Sequence, residues 1–174
     1  MSHEGNLSTP FRKISPSLRK FKPMKELSPA KQWDGFLARF DPPIVTLVKG
    51  ALIRLRKRLP GAVELVYDNF NALVIGFGPT ERASDAVFSI AIYPRWANFF
   101  FLQGARLEDP GGRLQGSGSV VRHLRLSDPR LIDDPEVIGL MDRAMGQAAK
   151  AIDPRAKRRM VIKSISPKQR PRKP

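Results

Sequence analysis

Between Pro60-Gly61 and Leu126 the chain passes through "AVELVYD", "ALVIGFG", "DAVFSIAIY", "WANFFFLQG" and "SVVRHLRL", short runs rich in β-branched and aromatic residues. This succession constrains the fold more than any other feature. "DNFN", Gly78-Pro79 and Pro94 punctuate the runs as turns, and a glycine-bounded loop from Gly104 to Gly116 precedes the last one. Consecutive strands joined by short connections favour antiparallel pairing, because a parallel partner needs a crossover of about a dozen residues or more. In the third run Phe88, Ile90 and Ile92 alternate with Val87, Ser89 and Ala91, the period of a strand with one face buried.

Helical periodicity flanks the strands on both sides. Asp41 is placed to cap a helix opening at Pro42-Pro43, after which Ile44, Leu47, Val48, Ala51, Leu52, Leu55 and Leu59 recur at helical spacing. Lys49, Arg54, Arg56, Lys57 and Arg58 form its other face. A second helix begins at Asp133-Asp134-Pro135-Glu136, with Val137, Leu140, Met141, Ala144, Met145 and Ala148 as its apolar stripe. The expected fold is α+β: a two-layer sandwich whose antiparallel sheet of about five strands carries the N- and C-terminal helices on one face.

A chain of 174 residues with 41% apolar content suits one domain with unstructured ends. The charge of +15 is unevenly spread. Residues 1–32 hold seven basic and two acidic side chains, residues 33–152 fifteen and thirteen, and residues 153–174 nine and one. The ends are also rich in proline and serine, which points to disordered basic tails over 1–32 and 153–174 around a domain at 33–152. Ser15-Pro16-Ser17, Ser28-Pro29-Ala30 and Ser166-Pro167-Lys168 resemble the Ser-Pro elements of DNA-binding tails, so weak nucleic-acid contact through the tails is one expectation. The absence of cysteine removes disulfides and thiolate chemistry, no run approaches the roughly eighteen apolar residues of a bilayer span, and the N-terminus lacks the apolar core of a secretory leader; the expected location is cytoplasmic, with no membrane partner.

The stretch "LQGSGSVVRHLRL", Leu114 to Leu126, holds the first candidate site. Gly116-Ser117-Gly118 can turn tightly and offer amides to an anion. Alternation puts Val120, Arg122, Leu124 and Leu126 on one strand face and Val121, His123 and Arg125 on the other. An arginine on the apolar side calls for a carboxylate, Asp68 or Glu64 on the first strand, or for an anionic ligand. Ser117, Gly118, Arg122 and His123 are therefore ligand-binding candidates. Tyr67, Asp68, Tyr93, Arg95 and Trp96 join them as residues at strand ends, where an aromatic-lined pocket can form. Ser117 and His123 have no third orienting group, and no catalytic constellation, cofactor motif or phosphate-binding Gly-Lys-Ser/Thr loop is present.

The ordered segments "VYDNFNALVIGFG", "SIAIYPRWANFFFLQG", "LEDPGGRLQGSGSVVRHLRL" and "DPEV" resemble the YdhG-like domain family, the domain of unknown function 1801, over residues 36–150. Relatives often carry a lysine where this chain has Ser119. The resemblance, distantly frataxin-like, implies an alternative role as an intracellular iron chaperone. Iron without cysteine needs carboxylates and imidazoles. The helix over 42–59 is basic, and the acids at Glu108-Asp109 and Asp133-Asp134-Glu136 fit a turn and a helix N-terminus. His3 falls in a tail. The leading expectation is a non-enzymatic domain that binds a small anion or a protein partner.

Overall fold

The computed structural model describes residues 27–174. Among the described residues, three α-helices and six strands form an α+β fold: α1 Pro29–Leu37, α2 Pro42–Arg58, β1 Val63–Asp68, β2 Leu73–Gly78, β3 Phe88–Ile92, β4 Ala97–Phe101, β5 Arg122–Leu126, α3 Pro135–Gln147 and β6 Arg159–Ile165. Short 3₁₀ turns at Ala83–Asp85, Gly104–Arg106 and Pro129–Asp133 lie in the connections.

The sheet is mixed, with strand order β5-β4-β3-β2-β1-β6. The first five strands pair antiparallel in sequence order, as their short connections dictate. β6 adds a sixth strand, parallel to β1, from Val63↔Arg159 to Asp68↔Ile165, with a register shift between Val66 and Tyr67. The wholly antiparallel, five-stranded sheet read from the sequence is corrected accordingly.

One face of the sheet carries Val66, Ile75, Ile90, Phe99 and Leu124 in a continuous row across β1 to β5, and these merge with the buried residues of all three helices into one cluster. Phe88, Phe99 and Phe101 pack ring against ring within it, with centroids 5.0–5.6 Å apart. Pro135 opens α3 after Asp134, whose carboxylate accepts from the amides of Glu136 and Val137. Asp41 makes no such side-chain cap at α2, where two prolines have replaced the first amide donors.

Two segments assigned to tails are structured. Ser28 is the N-cap of α1, its hydroxyl accepting from Lys31 N at 3.4 Å, and Trp33, Phe36 and Leu37 are buried. The Ser28-Pro29-Ala30 triplet is thus a helix start rather than a tail element. Residues 153–174, expected to be disordered, contain β6 and a strap that returns across the end of β1. The amides of Ser166 and Arg170 donate to the carbonyls of Asp68 and Phe70, each at 2.9 Å. The strand orders because its charges find partners: Arg159 meets Glu81 at 2.6 Å and Arg172 meets Asp68 at 2.8 Å, while Met160 and Ile162 pack on the core. Its approach fixes Gly61, whose φ of 81° suits glycine and where a Cβ would collide with the Asp153 carbonyl. Residues 1–26, with Ser15-Pro16-Ser17 and His3, lie outside the described residues. No helix among the described residues is long and apolar enough to cross a membrane.

Candidate functional site at the Tyr93–Trp96 end of the sheet

Alternation divides the sequence candidates between the two faces of the sheet. On β1, Asp68 shares the helix-covered face with Glu64 and Val66, and Tyr67 points the other way. On β5, Arg122 aligns with Phe101 on the covered face, whereas His123 and Arg125 align with Phe100 and Asn98 on the opposite one. Across the sheet the opposite face reads Arg125, Asn98, Ala91, Val74, Tyr67 in one cross-strand row. Its middle is closed to solvent at Leu65, Ser89 and Ala91, whereas Trp96 is 36% exposed and Arg125 is exposed. The accessible part is therefore the end formed by the β3–β4 turn and β5.

That end is built by a tight turn. Tyr93 N donates to Trp96 O at 2.7 Å, which closes Tyr93-Pro94-Arg95-Trp96 between two strands in register. Tyr93 and Trp96 stack with ring centroids 5.1 Å apart and planes 28° from parallel. The Arg125 guanidinium lies 5.0 Å from the Trp96 ring centroid, an attraction between cation and ring face. Two residue pairs further along from Arg125, the His123 ring tilts over Phe100 at 5.2 Å. Between the two stacks stands Asn98, whose Oδ1 is buried without a hydrogen-bond partner. Arg95 is exposed at the tip of the turn. The arrangement offers an aromatic surface, a guanidinium with no ion pair among the described residues and an imidazole on one face.

Tyr93, Arg95 and Trp96 are thus brought together in one turn, and His123 is on the same sheet face but about four residues further along β5, roughly 13 Å at the usual rise per residue. Tyr67 is on the same face but three strands from Asn98, roughly 14 Å at the usual strand spacing. Its hydroxyl is buried without a partner, and that burial raises its pKa above the ordinary tyrosine value. Asp68 belongs to a different environment. It is buried between Arg39 at 2.5 Å and Arg172 at 2.8 Å, on the covered face. Glu64 is likewise taken, by both Arg56 Nε at 2.8 Å and Arg56 Nη2 at 2.9 Å.

Arg122 therefore has neither of its expected acid partners, and no described cavity is lined by it. Its Nη1 donates to the carbonyls of Gly118 and, at 2.8 Å, Val121. A bridge between Gln115 and His123 closes the loop in which Ser117 and Gly118 are exposed. The physical reason for the correction is the edge position of β5: a half-buried arginine there reaches the loop's own carbonyl oxygens, so it needs no carboxylate. The loop directs those carbonyls at a cation instead of gathering amides around an anion.

Of the acids considered for iron, all but Glu108 are engaged by neighbouring groups among the described residues. Asp109 accepts from Leu114 N at 2.8 Å; Asp133 pairs with Arg54 at 2.7 Å; Asp134 and Glu136 share Arg113 at 2.7 and 3.1 Å. Among the described residues no group of three or more His, Asp or Glu side chains is placed to hold a metal ion.

Sequence reasoning passed over Phe100, Asn98 and Arg125. The available signal was the alternation in "WANFFFLQG" and "SVVRHLRL", which puts Trp96, Asn98 and Phe100 on one face and His123 and Arg125 on one face. The register that joins the two faces was missing. Compared with known protein families, with curated proteins and with solved structures, the chain matches none.

Proposed function

We propose that this protein is a non-enzymatic binding module whose Tyr93–Trp96–Arg125 end takes an anionic ligand carrying a planar ring, the chemistry of a nucleotide unit, free or within a single strand. The observation that carries the reading is the Arg125–Trp96–Tyr93 stack, with the His123–Phe100 pair further along the same sheet face. A planar ring can stack on the partly exposed Tyr93–Trp96 pair, while the Arg125 guanidinium, which lies against Trp96, is placed to meet a phosphate. Arginine suits the task because its planar fork serves ring and phosphate alike. The YdhG-like resemblance over residues 36–150 and the two-layer arrangement belong to the same proposal, and the single buried cluster shared by helices and one sheet face supports the latter.

Tryptophan fluorescence tests the reading. Trp33 is buried at 4% exposure, so a ligand-dependent change reports chiefly on Trp96. A thymidine dodecamer, thymidine monophosphate and thymidine are each titrated against wild type and Trp96→Leu at fixed ionic strength. Saturable quenching by the monophosphate or the dodecamer, weakened about tenfold or more in Trp96→Leu as expected for one lost base–aromatic stack, supports the proposal. Tighter binding of the dodecamer assigns the strand as the source of the ligand, and equal binding assigns the nucleotide. Thymidine alone binding as well as its phosphate, or no quenching by any of them, overturns it.

A further inference from the structure

On the far side of the fold from the Tyr93–Trp96 turn, a cleft of about 710 Å³ opens between the end of α3 and the two 3₁₀ turns at Ala83–Asp85 and Gly104–Arg106. Its size is that of a small-molecule site. None of the residues discussed above as ligand candidates lines it.

The cleft has an apolar floor and a charged mouth. Val87, Leu107, Ala144 and Ala148 supply the floor and are buried or half-buried. Two cations and one carboxylate stand at the mouth: Arg106, Lys150 and Asp85. Lys150 is already engaged, its Nζ 3.0 Å from Asp85 Oδ2, which also accepts from the Thr80 hydroxyl at 2.7 Å. These two hydrogen bonds, Thr80 foremost, hold the Asp85 carboxyl below its ordinary pKa, so the pair is ionised at neutral pH. Arg106 has no side-chain hydrogen bond or ion pair among the described residues, although it lines the cleft. The mouth therefore carries one uncompensated positive charge, with the amides of Gln103 and Gln147 alongside.

The far wall limits how much negative charge the ligand can bring. α3 ends at Gln147 with no basic residue in its last turn, and Ala144, Gln147 and Ala148 line the cleft, so the negative end of the helix dipole lies at this wall. A dianion would meet that wall unfavourably, whereas a single carboxylate matches the single free guanidinium. We infer that this cleft is a second binding site, one for a small monocarboxylic acid with an apolar body: its carboxylate on Arg106, its chain on Val87, Leu107, Ala144 and Ala148. Arginine forks onto a carboxylate through two parallel N–H donors, and the apolar floor gains from every methylene removed from water.

The experiment is a titration of the full-length ¹⁵N-labelled protein with hexanoate, acetate and inorganic phosphate at constant ionic strength, followed by two-dimensional NMR. Hexanoate is expected to shift the backbone amides of Leu107 and Ala148 and the side-chain amides of Gln103 and Gln147 saturably, acetate more weakly by roughly tenfold or more given the lost methylenes, and phosphate not at all. Arg106→Gln should weaken the hexanoate response at least about tenfold while its dispersed spectrum reports an intact fold. Trp96→Leu should leave that response as it is, which separates this site from the aromatic one. Hexanoate shifts that persist in Arg106→Gln, shifts of the same residues by phosphate, or no saturable response overturn the assignment.

Discussion

Asp68 shows how a single side chain decides whether the C-terminal strap belongs to the fold. It is 1% exposed, and two guanidinium groups converge on it: Arg172, itself 2% exposed at the side chain, and Arg39, 36% exposed. Arg172 Nε and Nη1 are buried with no hydrogen-bond partner, and its guanidinium lies 5.6 Å from the Phe40 ring centroid. The two sides of this cluster are therefore unequal. Asp68→Asn leaves a buried cation facing no charge, and the expected loss is about 3–5 kcal/mol, the range for breaking one side of a buried pair. Arg172→Met leaves Asp68 with Arg39 at 2.5 Å and sets an apolar chain against Phe40, so its loss should be clearly smaller. Urea unfolding of the two variants measures the difference. Equal losses would mean that Arg39, more open to solvent, does not hold the carboxylate when Arg172 is gone.

At the level of elements, the N-terminus of α3 ties folding to pH. Asp134 pairs with Arg113 at 2.7 Å and accepts from two helix amides, and these interactions, the Arg113 bond first, depress its pKa below the ordinary value. One turn earlier, hydrogen bonds from the Arg130 side chain and amide bring Asp128 down to about 2. A carboxyl with a folded-state pKa below its unfolded value adds stability that is fully present above the unfolded value, near pH 4, and is lost as pH falls through the folded one. Urea midpoints should hold steady from neutrality to about pH 5 and then fall towards pH 2, with Asp134→Asn flattening part of that fall because the amide can still cap but cannot titrate. An unchanged acid limb in Asp134→Asn would remove Asp134 from the account.

Most of the elements could be read from local sequence. The cap and proline at Asp134-Pro135, the alternation of Phe88, Ile90 and Ile92 and the prolines opening α2 are short-range signals, and α2, α3 and the first five strands lie where they indicate. α1 and β6 were hidden for a different reason. Around β6 lysines and arginines dominate the local composition, and the groups that offset that charge, Glu64, Glu81 and Asp68, lie about eighty to a hundred residues away in sequence, whereas α1 is a nine-residue helix that follows directly on a basic, proline-containing stretch. The site divides in the same manner: the face of each of Trp96, Asn98, Phe100, His123 and Arg125 follows from alternation, but bringing β4 and β5 into one surface requires the register Asn98↔Arg125.

Across the whole molecule, charge and aromatic surface give separable contributions to the proposed binding. The chain carries a net +15, and many of the described carboxylates, among them Glu64, Asp68, Asp85, Asp133 and Asp134, are already paired with cations. The remaining cations give the surface a positive potential that attracts any polyanion, whatever its sequence. Attraction of that kind releases counterions, so the logarithm of affinity for a single strand falls linearly with the logarithm of salt, by about 0.7 per phosphate contacted. Stacking on an uncharged ring releases none. Arg125 and Trp96 touch each other, yet their removal should act on different parameters. Arg125→Ala should lower the slope by about one contact's worth, and Trp96→Leu should weaken binding at every salt concentration with the slope unchanged. Affinities of the thymidine dodecamer for the three proteins across a salt series measure both parameters together. If Arg125→Ala left the slope intact, the guanidinium would be holding Trp96 in place instead of meeting a phosphate, and binding by the rest of the positive surface would have to account for the whole salt dependence.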